Sequence, residues 1–371
     1  MPGVRLDNIG DAMRDAYPEL DAVRAASGED PVYLVGGAVR DLLLGRGRTD
    51  LDLVVVGDAA ELAANLDADP VEHERFATAK ARLDGHEIDI ATARSETYPH
   101  PGALPEVEPA GSIEADLGRR DFTVNAMAVP LDGSHVLVDP HGGRENLEAG
   151  LLRVLHEGSF RDDPTRGLRA ARYAARFGFE LEPATAALLR EADLGTVSAE
   201  RRRAELLRLA AEPAASRGFA LLGDWGLVEL RLDGVELAAR VSELLDAPPW
   251  QGVVPRERAV FAAALGPRHS EEKLARLDPG PPSAAVELAD GADPVELVLA
   301  RALGAEWLDR YLEWREVRLE IDGEDLIAAG VEQGPALGRG LDEALRRKLD
   351  GEISGREQEL EVALETARRL V

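Results

Sequence analysis

Two aspartates one residue apart, Asp50 and Asp52, open an apolar run in the segment LVGGAVRDLLLGRGRTDLDLVVV at residues 34–56. Side chains alternate along a strand, so a strand here projects Asp50 and Asp52 to one side and Leu51 and Leu53 to the other, towards a core. Two carboxylates side by side can hold divalent cations, and the chemistry that uses such a pair is phosphoryl transfer. Ahead of them stand Gly36 and Gly37, which tolerate backbone angles closed to other residues and let main-chain amides approach a polyphosphate. VRDLLLG then reads as the first turns of a helix, which brings a positive helix end near the same anion. A dinucleotide fold is disfavoured, because it requires a G-x-G-x-x-G that this segment lacks.

A strand, a glycine turn, a helix and a second strand must position these groups. Strand candidates are residues 32–35, 51–56, 79–83, 86–92, 124–130 and 135–138, preceded by a helix over residues 9–26. In HEIDIAT, Ile88 and Ile90 share one side, and Glu87 and Asp89 the other. Asp89 joins Asp50 and Asp52 if its strand lies beside theirs; otherwise it is a strand-end surface carboxylate. From about residue 164 onward the apolar spacing turns helical, through residues 184–191, 199–211, 237–245 and 256–265. Pro/Gly-rich breaks at residues 247–255 and 278–283 separate helical units.

LVGGAVRDLLLG followed by TDLDLVV resembles the signature of the class II tRNA nucleotidyltransferases and the bacterial poly(A) polymerases. DLGRRDFTVNAMA (116–128), DPHGGRENL (139–147), RDDPTRGLRAARYAARFGF (161–179), SAERRRAEL (198–206) and IDGEDLIAAGVEQGPALGRGL (321–341) resemble further segments of that family, in its order. The resemblance implies an α+β fold, with a nucleotidyltransferase-type mixed-sheet head followed by an all-α neck, body and tail. The expected divisions are a head over 1–155, a neck over 156–215, a body over 216–310 and a tail over 311–371 with tRNA contacts. It implies a template-independent transfer of CMP and AMP from CTP and ATP to the 3′ end of tRNA, with Mg²⁺ on Asp50 and Asp52 and Asp89 as third acidic residue. Arg40 is implied near the triphosphate, against an alternative as a helix-surface ion pair. Arg119, Arg120, Asp121 and Asn125 are assigned to ribose and phosphates. The pair Asp162 and Asp163, with Arg166, would read the base; Asp163 and Pro164 also suit an N-cap and a first helical position.

Two departures from the family pattern stand out. Asp162 occupies a place that is more often Glu, and Asn146 one that is more often Asp. The segment 94–107, RSETYPHPGALPEV, is rich in Pro and Gly and reads as a mobile substrate loop containing Glu96.

The 371 residues, 45% apolar and only 4% aromatic, suit two or three packed units. With no cysteine, disulfides, thiol catalysis and Cys-ligated zinc are excluded. No apolar h-region and no membrane-length run is present, so a cytoplasmic location without membrane partners is the expectation. Seven histidines form neither an H-E-x-x-H pair nor a His-Asp doublet, so neither a zinc protease nor the phosphohydrolase attached to some relatives is indicated.

The net charge of −27 runs against RNA binding, so the distribution of cations matters. Arg166, Arg169, Arg172 and Arg176 fall within one helical arc opposite Leu168, Ala171 and Ala175, either a solvated face or one turned to nucleotide and RNA. Lysine occurs only at 80, 273 and 348, and the acidic, lysine-poor composition suggests a salt-rich cytoplasm or GC-rich coding. The competing functional readings are a poly(A) polymerase, a CC-only or A-only enzyme, and a catalytically silent RNA-binding protein on the same fold.

Overall fold

Alternating apolar residues build a six-stranded mixed sheet around the Asp50/Asp52 strand. The computed structural model describes residues 9–66, 71–73, 78–83, 85–266 and 270–369; the charged first eight residues lie outside them. The strands are β1 (Val32–Val35), β2 (Leu51–Val55), β3 (Val71–His73), β4 (Thr78–Leu83), β5 (His86–Thr92) and, beyond a separate ribbon of β6 (Arg94–Thr97) and β7 (Glu106–Pro109), β8 (Ala128–Pro130). Their order in the sheet is β3-β4-β5-β2-β1-β8. Only β2 and β5 run parallel; the other neighbours are antiparallel.

One face of the sheet, with Leu34, Leu51, Leu53, Ile88 and Ile90 all fully buried, packs on helices α1 (Ile9–Ala16), α2 (Leu20–Ala26), α3 (Gly37–Leu43) and α4 (Ala59–Asn65). The opposite face carries Val35, Val54 and Ala128 against α5 (Ile113–Gly118). This is the period-2 division that the sequence pattern predicts for the Asp52 strand.

The chain divides into two compact units, Met1–Val228 and Glu229–Val371. Within the first, α6 (Gly143–Ala149) and α7 (Ser159–Asp162) lead into α8 (Thr165–Phe177), followed by α9 (Pro183–Leu188), α10 (Ala199–Ala210) and α11 (Ala215–Asp224). The sheet's core continues without a break into Phe160, Tyr173, Ala174 and Phe179. Burying these residues together favours one cooperative body.

The second unit is helical in its described residues. It comprises α12 (Gly234–Leu245), α13 (Arg256–Leu265), α14 (Ser270–Arg276), α15 (Pro282–Ala289), α16 (Pro294–Ala302), α17 (Trp307–Trp314), α18 (Gly323–Ala328), α19 (Pro335–Leu349) and α20 (Arg356–Arg369). Fully buried Trp250 donates its indole N–H to Asp309 at 2.7 Å, so the apolar ring is buried without an orphaned donor. No helix among the described residues is long and apolar enough to cross a membrane.

The structure corrects several element boundaries. The helix over 9–26 is two helices, broken at Tyr17-Pro18, because proline cannot donate within a continuing helix. The strand over 124–130 shrinks to Ala128–Pro130, since Thr123–Asn125 curls into a 3₁₀ turn that points Asn125 inward. The strand over 135–138 reduces to a bridge between Ala128 and Val138, with His135 at φ 53° interrupting extension. The loop over 94–107 is an ordered antiparallel ribbon, with Ser95 opposite Glu108 and Glu96 opposite Val107. A short parallel pair, β9 (Leu151–Leu152) with β10 (Glu180–Leu181), interrupts the otherwise helical segment after the head.

Candidate active site

Asp52 and Asp89 are direct register partners on parallel strands β2 and β5, so both project from the same face of the sheet. Asp50 lies at the strand's mouth, exposed to solvent. The approach to β2 is pinned from below: the Tyr17 hydroxyl accepts from the Thr49 amide at 3.2 Å, and Arg48 pairs with buried Glu19. Burial, and next the charge of Asp89, push the Asp52 carboxyl up to about 6; Asp50 adds to this and Arg120 and Arg40 oppose it. Lys80, the register partner of Asp89 on β4, pairs with it at 3.0 Å, both side chains half-exposed.

Among the described residues, no three acidic or histidine side chains converge into a metal cage. The arrangement is instead two carboxylates at a cavity wall, with a third alongside. That donor set suits a divalent metal that completes its shell with water and phosphate oxygens, the usual manner of Mg²⁺.

A cavity of about 550 Å³ lies over these groups. Its walls bring together Gly36, Gly37, Arg40, Asp50, Asp52, Arg119, Arg120, Asp121, Asn125, Asp163, Arg166 and Arg169, which the sequence singled out at widely separated positions. Asp89 opens instead onto an adjoining cavity of about 280 Å³, which shares Asp52, Arg119 and Arg120. Asp162 is absent from both linings; its carboxylate faces His156 at 4.0 Å.

Gly36 is required on two counts. Its φ is 63°, and a Cβ there would stand 2.6 Å from Arg120 Nη1. The first turn of α3 follows at Gly37.

A buried polar chain crosses from α8 to α3. Arg169 pairs with Asp121 Oδ2 at 2.6 Å; Asp121 Oδ1 accepts from the Phe122 amide at 2.8 Å and from Asn125 Nδ2 at 3.0 Å. Asn125 Oδ1 accepts from Arg40 Nη1 at 2.6 Å, and Arg40 Nε donates to Asp41 at 2.9 Å. Burial alone would raise the Asp121 carboxyl, yet Arg169, the Asn125 amide and Arg166 hold it down at about 2. Arg40 is only 5% exposed, with its guanidinium 4.4 Å from the Phe177 ring centroid. It is an interior cation, not the helix-surface ion pair that its sequence position allowed.

The base-reading candidates are also held. Asp163 Oδ1 accepts from the Thr165 hydroxyl at 2.7 Å and from Arg201 Nη2 at 3.1 Å. Arg166 donates to the Ser159 hydroxyl and, at 2.9 Å, to the Arg119 carbonyl. The tip of the ribbon meets this segment: the Gly102 amide donates to the Asp162 carbonyl at 3.2 Å, and Arg201 Nη1 donates to the Gly102 carbonyl at 2.8 Å.

Sequence reasoning missed two contributors, Asp116 and Tyr98, and marked Glu96 only as a loop residue. Asp116 holds both Arg119 and Arg120, and Glu96 holds Arg119, a role signalled only by the spacing of Asp116, three and four residues before the arginines. Tyr98 lines the cavity and donates to Glu96 at 3.1 Å. All four arginines of the stripe line the cavity; Arg166 is buried, Arg169 and Arg172 are partly buried, and Arg176 is exposed.

Comparison with known proteins accords with this geometry. Residues 32–153 match the family described as "Poly A polymerase head domain", and residues 178–235 match "Probable RNA and SrmB- binding site of polymerase A". A CC-adding tRNA nucleotidyltransferase of Deinococcus radiodurans is 37% identical over 91% of this chain and 90% of its own. A solved CCA-adding enzyme in an apo form has a TM-score of 0.78 and 30% identity, covering 96% of this chain and 98% of that one. The Thermotoga maritima CCA-adding enzyme complexed with tRNA has a TM-score of 0.72 and 28% identity, covering 98% of each chain. With near full-length likeness in sequence and fold, and the paired carboxylates, glycine turn and arginine-lined cavity in place, the chain belongs to the tRNA nucleotidyltransferase and poly(A) polymerase family.

Proposed function

We propose that the protein adds CMP and AMP, without a nucleic-acid template, to the 3′ end of tRNA in the cytoplasm. It would take them from CTP and ATP with release of pyrophosphate. The observation that carries this is Asp52, beside Asp89 on the neighbouring strand, lining with Asp50 a cavity that Arg40, Arg119, Arg120, Arg166 and Arg169 also line. The reading is supported by relatives named CC-adding and CCA-adding enzymes, and by enzymes of this fold solved with CTP and with ATP.

In this reading the terminal 3′-hydroxyl oxygen attacks the α-phosphorus. A new P–O bond forms in line as the bond to the β-phosphate oxygen breaks, pyrophosphate leaving and the hydroxyl proton passing to solvent. Asp50 and Asp52 would hold Mg²⁺, which would supply Lewis-acid charge at this site when bound. Asp89 stabilises that cationic locus from the neighbouring strand. Arg120 and the Gly36–Gly37 turn receive the phosphates, Asp121 and Asn125 fix the sugar side of the cavity, and Arg169 holds Asp121 ionised. Asp163 Oδ2 and Arg166 read the exocyclic amine and ring acceptor shared by cytosine and adenine. Asp162, away from the cavity, serves through its carbonyl bond to Gly102. The finer division into head, neck, body and tail belongs to this proposal, with RNA contacts in the helical parts.

A CC-only activity is the second reading, favoured by the near full-length likeness to the Deinococcus radiodurans enzyme. Incubation with Mg²⁺ and tRNA transcripts ending at the discriminator base, at C and at CC, each given labelled CTP, ATP or both, tests the two. Addition completed at CCA is the expected result. Arrest at CC gives the second reading, and long A tails on diverse RNAs would replace both with a poly(A) polymerase.

A further inference from the structure

We infer that Asp116, through its hold on two consecutive arginines, is a positioning residue that aims Arg120 at the triphosphate. Resting on the nucleotidyltransferase reading, the inference adds to it a group that touches neither substrate nor metal.

Asp116 is completely buried within the short helix α5, whose C-cap is Arg119. Its Oδ1 accepts from Arg119 Nε at 2.9 Å, and its Oδ2 from Arg120 Nη2 at 2.8 Å and Nε at 3.3 Å. The Arg94 amide adds a contact to Oδ1 at 3.4 Å. Burial alone would raise this carboxyl, but Arg120 and Arg119 outweigh it and hold the group below the ordinary carboxylate range.

Consecutive side chains leaving a helix end diverge, and two adjacent guanidinium charges repel. One carboxylate placed three and four residues earlier draws both back and gives each oxygen to one arginine, in the forked geometry that suits guanidinium. The two arginines are then distinguished by what remains. Arg119 spends Nη1 on Glu96 at 2.8 Å, which fastens it to the ribbon. Arg120 keeps Nε and Nη2 on Asp116 and turns Nη1 over Gly36, the closest approach to that residue's missing side chain. The Gly36–Gly37 turn, Asp50 and Asp52 line the same cavity. Asp116 therefore sets the direction of a phosphate-facing donor without reaching the cavity itself.

The test compares wild type, Asp116→Asn, Arg120→Gln and the double variant for affinity towards inorganic tripolyphosphate, for the KM of CTP and for inhibition by cytidine. Asp116→Asn is expected to weaken tripolyphosphate about tenfold or more, the scale of a lost charge-assisted contact, and to raise the KM of CTP in parallel. Cytidine inhibition should hold, because base and ribose contacts lie elsewhere. Acting through Arg120, Asp116→Asn should add nothing to Arg120→Gln in the double variant. Unchanged tripolyphosphate affinity, equal loss of cytidine and tripolyphosphate, or additive losses in the double variant would overturn the proposal. If Asp116→Asn fails to fold, Asp116→Glu keeps the charge but moves it by a methylene, and the same selective loss of tripolyphosphate is expected of it. Wild-type protein that binds tripolyphosphate yet incorporates no nucleotide would sink the transferase reading, whereas wild type and variant alike in tripolyphosphate affinity would sink only the role of Asp116.

Discussion

Asp52 stands opposite Asp89 in the parallel register of β2 and β5, and this pairing of like charges is what sets the site apart from an ordinary strand end. A protein gains nothing in stability from two neighbouring carboxylates, one of them largely buried. Lys80 offsets the Asp89 charge in a half-exposed pair, where such contacts contribute little.

Asp52→Asn should therefore separate function from stability. Removing the charge relieves repulsion and the desolvation of a carboxylate, so the metal-free variant should melt above the wild type, by an amount on the order of 1 kcal/mol in stability. Metal-dependent incorporation should be lost in the same protein. Thermal melting with a chelator, paired with a single-turnover incorporation assay, reads both; a variant less stable than wild type would contradict the electrostatic account.

Asp121 provides the opposite sign. Its carboxyl sits at about 2 in the folded protein against an ordinary 3.8, so its contribution is present above pH 3.8 and is lost as pH falls from there through 2. Asp121→Asn leaves Arg169 facing a neutral partner and should destabilise by about 3 kcal/mol at neutral pH. The gap between wild type and variant should narrow on acidification across that window. Denaturant titrations at pH 7 and pH 3 measure it, and a gap that widens in acid would rule out the buried pair as the cause.

Arg40 and Asp41 are paired in the interior, 5% and 1% exposed. Arg40→Met should cost about 3–5 kcal/mol, because it strands the Asp41 charge and removes the donor to Asn125. Adding Asp41→Asn should recover part of that loss. A double variant as unstable as the sum of its singles would show that the ion pair is not what Arg40 supports.

Gly102 tests the ribbon's attachment. Its φ is 71°, and a Cβ there would stand 2.4 Å from Thr196 Oγ1 and 2.7 Å from the Thr196 carbonyl oxygen. Gly102→Ala should cost about 1–3 kcal/mol from backbone strain and overpacking. Because Gly102 also contacts the Asp162 carbonyl and Arg201, the preference between CTP and ATP should shift as well. An unchanged melting temperature would place the strain elsewhere.

Much of the head was legible because period-2 alternation is a strong signal: Val32–Val35 and His86–Thr92 form as strands over the residues that the pattern marks, and Leu51–Val55 stops one residue short of it. The break at Pro18 was missed: proline's absent donor signals it, but the helical spacing on either side masked that signal. Short polar elements were not legible. Thr123–Asn125 reads as strand from Val124 onward, and curls because Asn125 finds Asp121, four residues earlier, and Arg40, which only the fold brings near. The ribbon reads as a loop because its pairing depends on residues 9 to 15 positions apart with no apolar alternation. Arg40 shows the same limit, since nothing beside it in sequence announces Phe177, 137 positions away, as the ring over which it lies.

The most direct test of the site is Mg²⁺-dependent incorporation of labelled CMP into a tRNA transcript ending at the discriminator base, by wild type and by Asp50→Ala/Asp52→Ala, with tRNA binding measured alongside. Incorporation by the wild type, none by the double variant, and unchanged tRNA affinity are the results that follow from a metal site on these two carboxylates. Incorporation that survives the double substitution would place the chemistry on other residues.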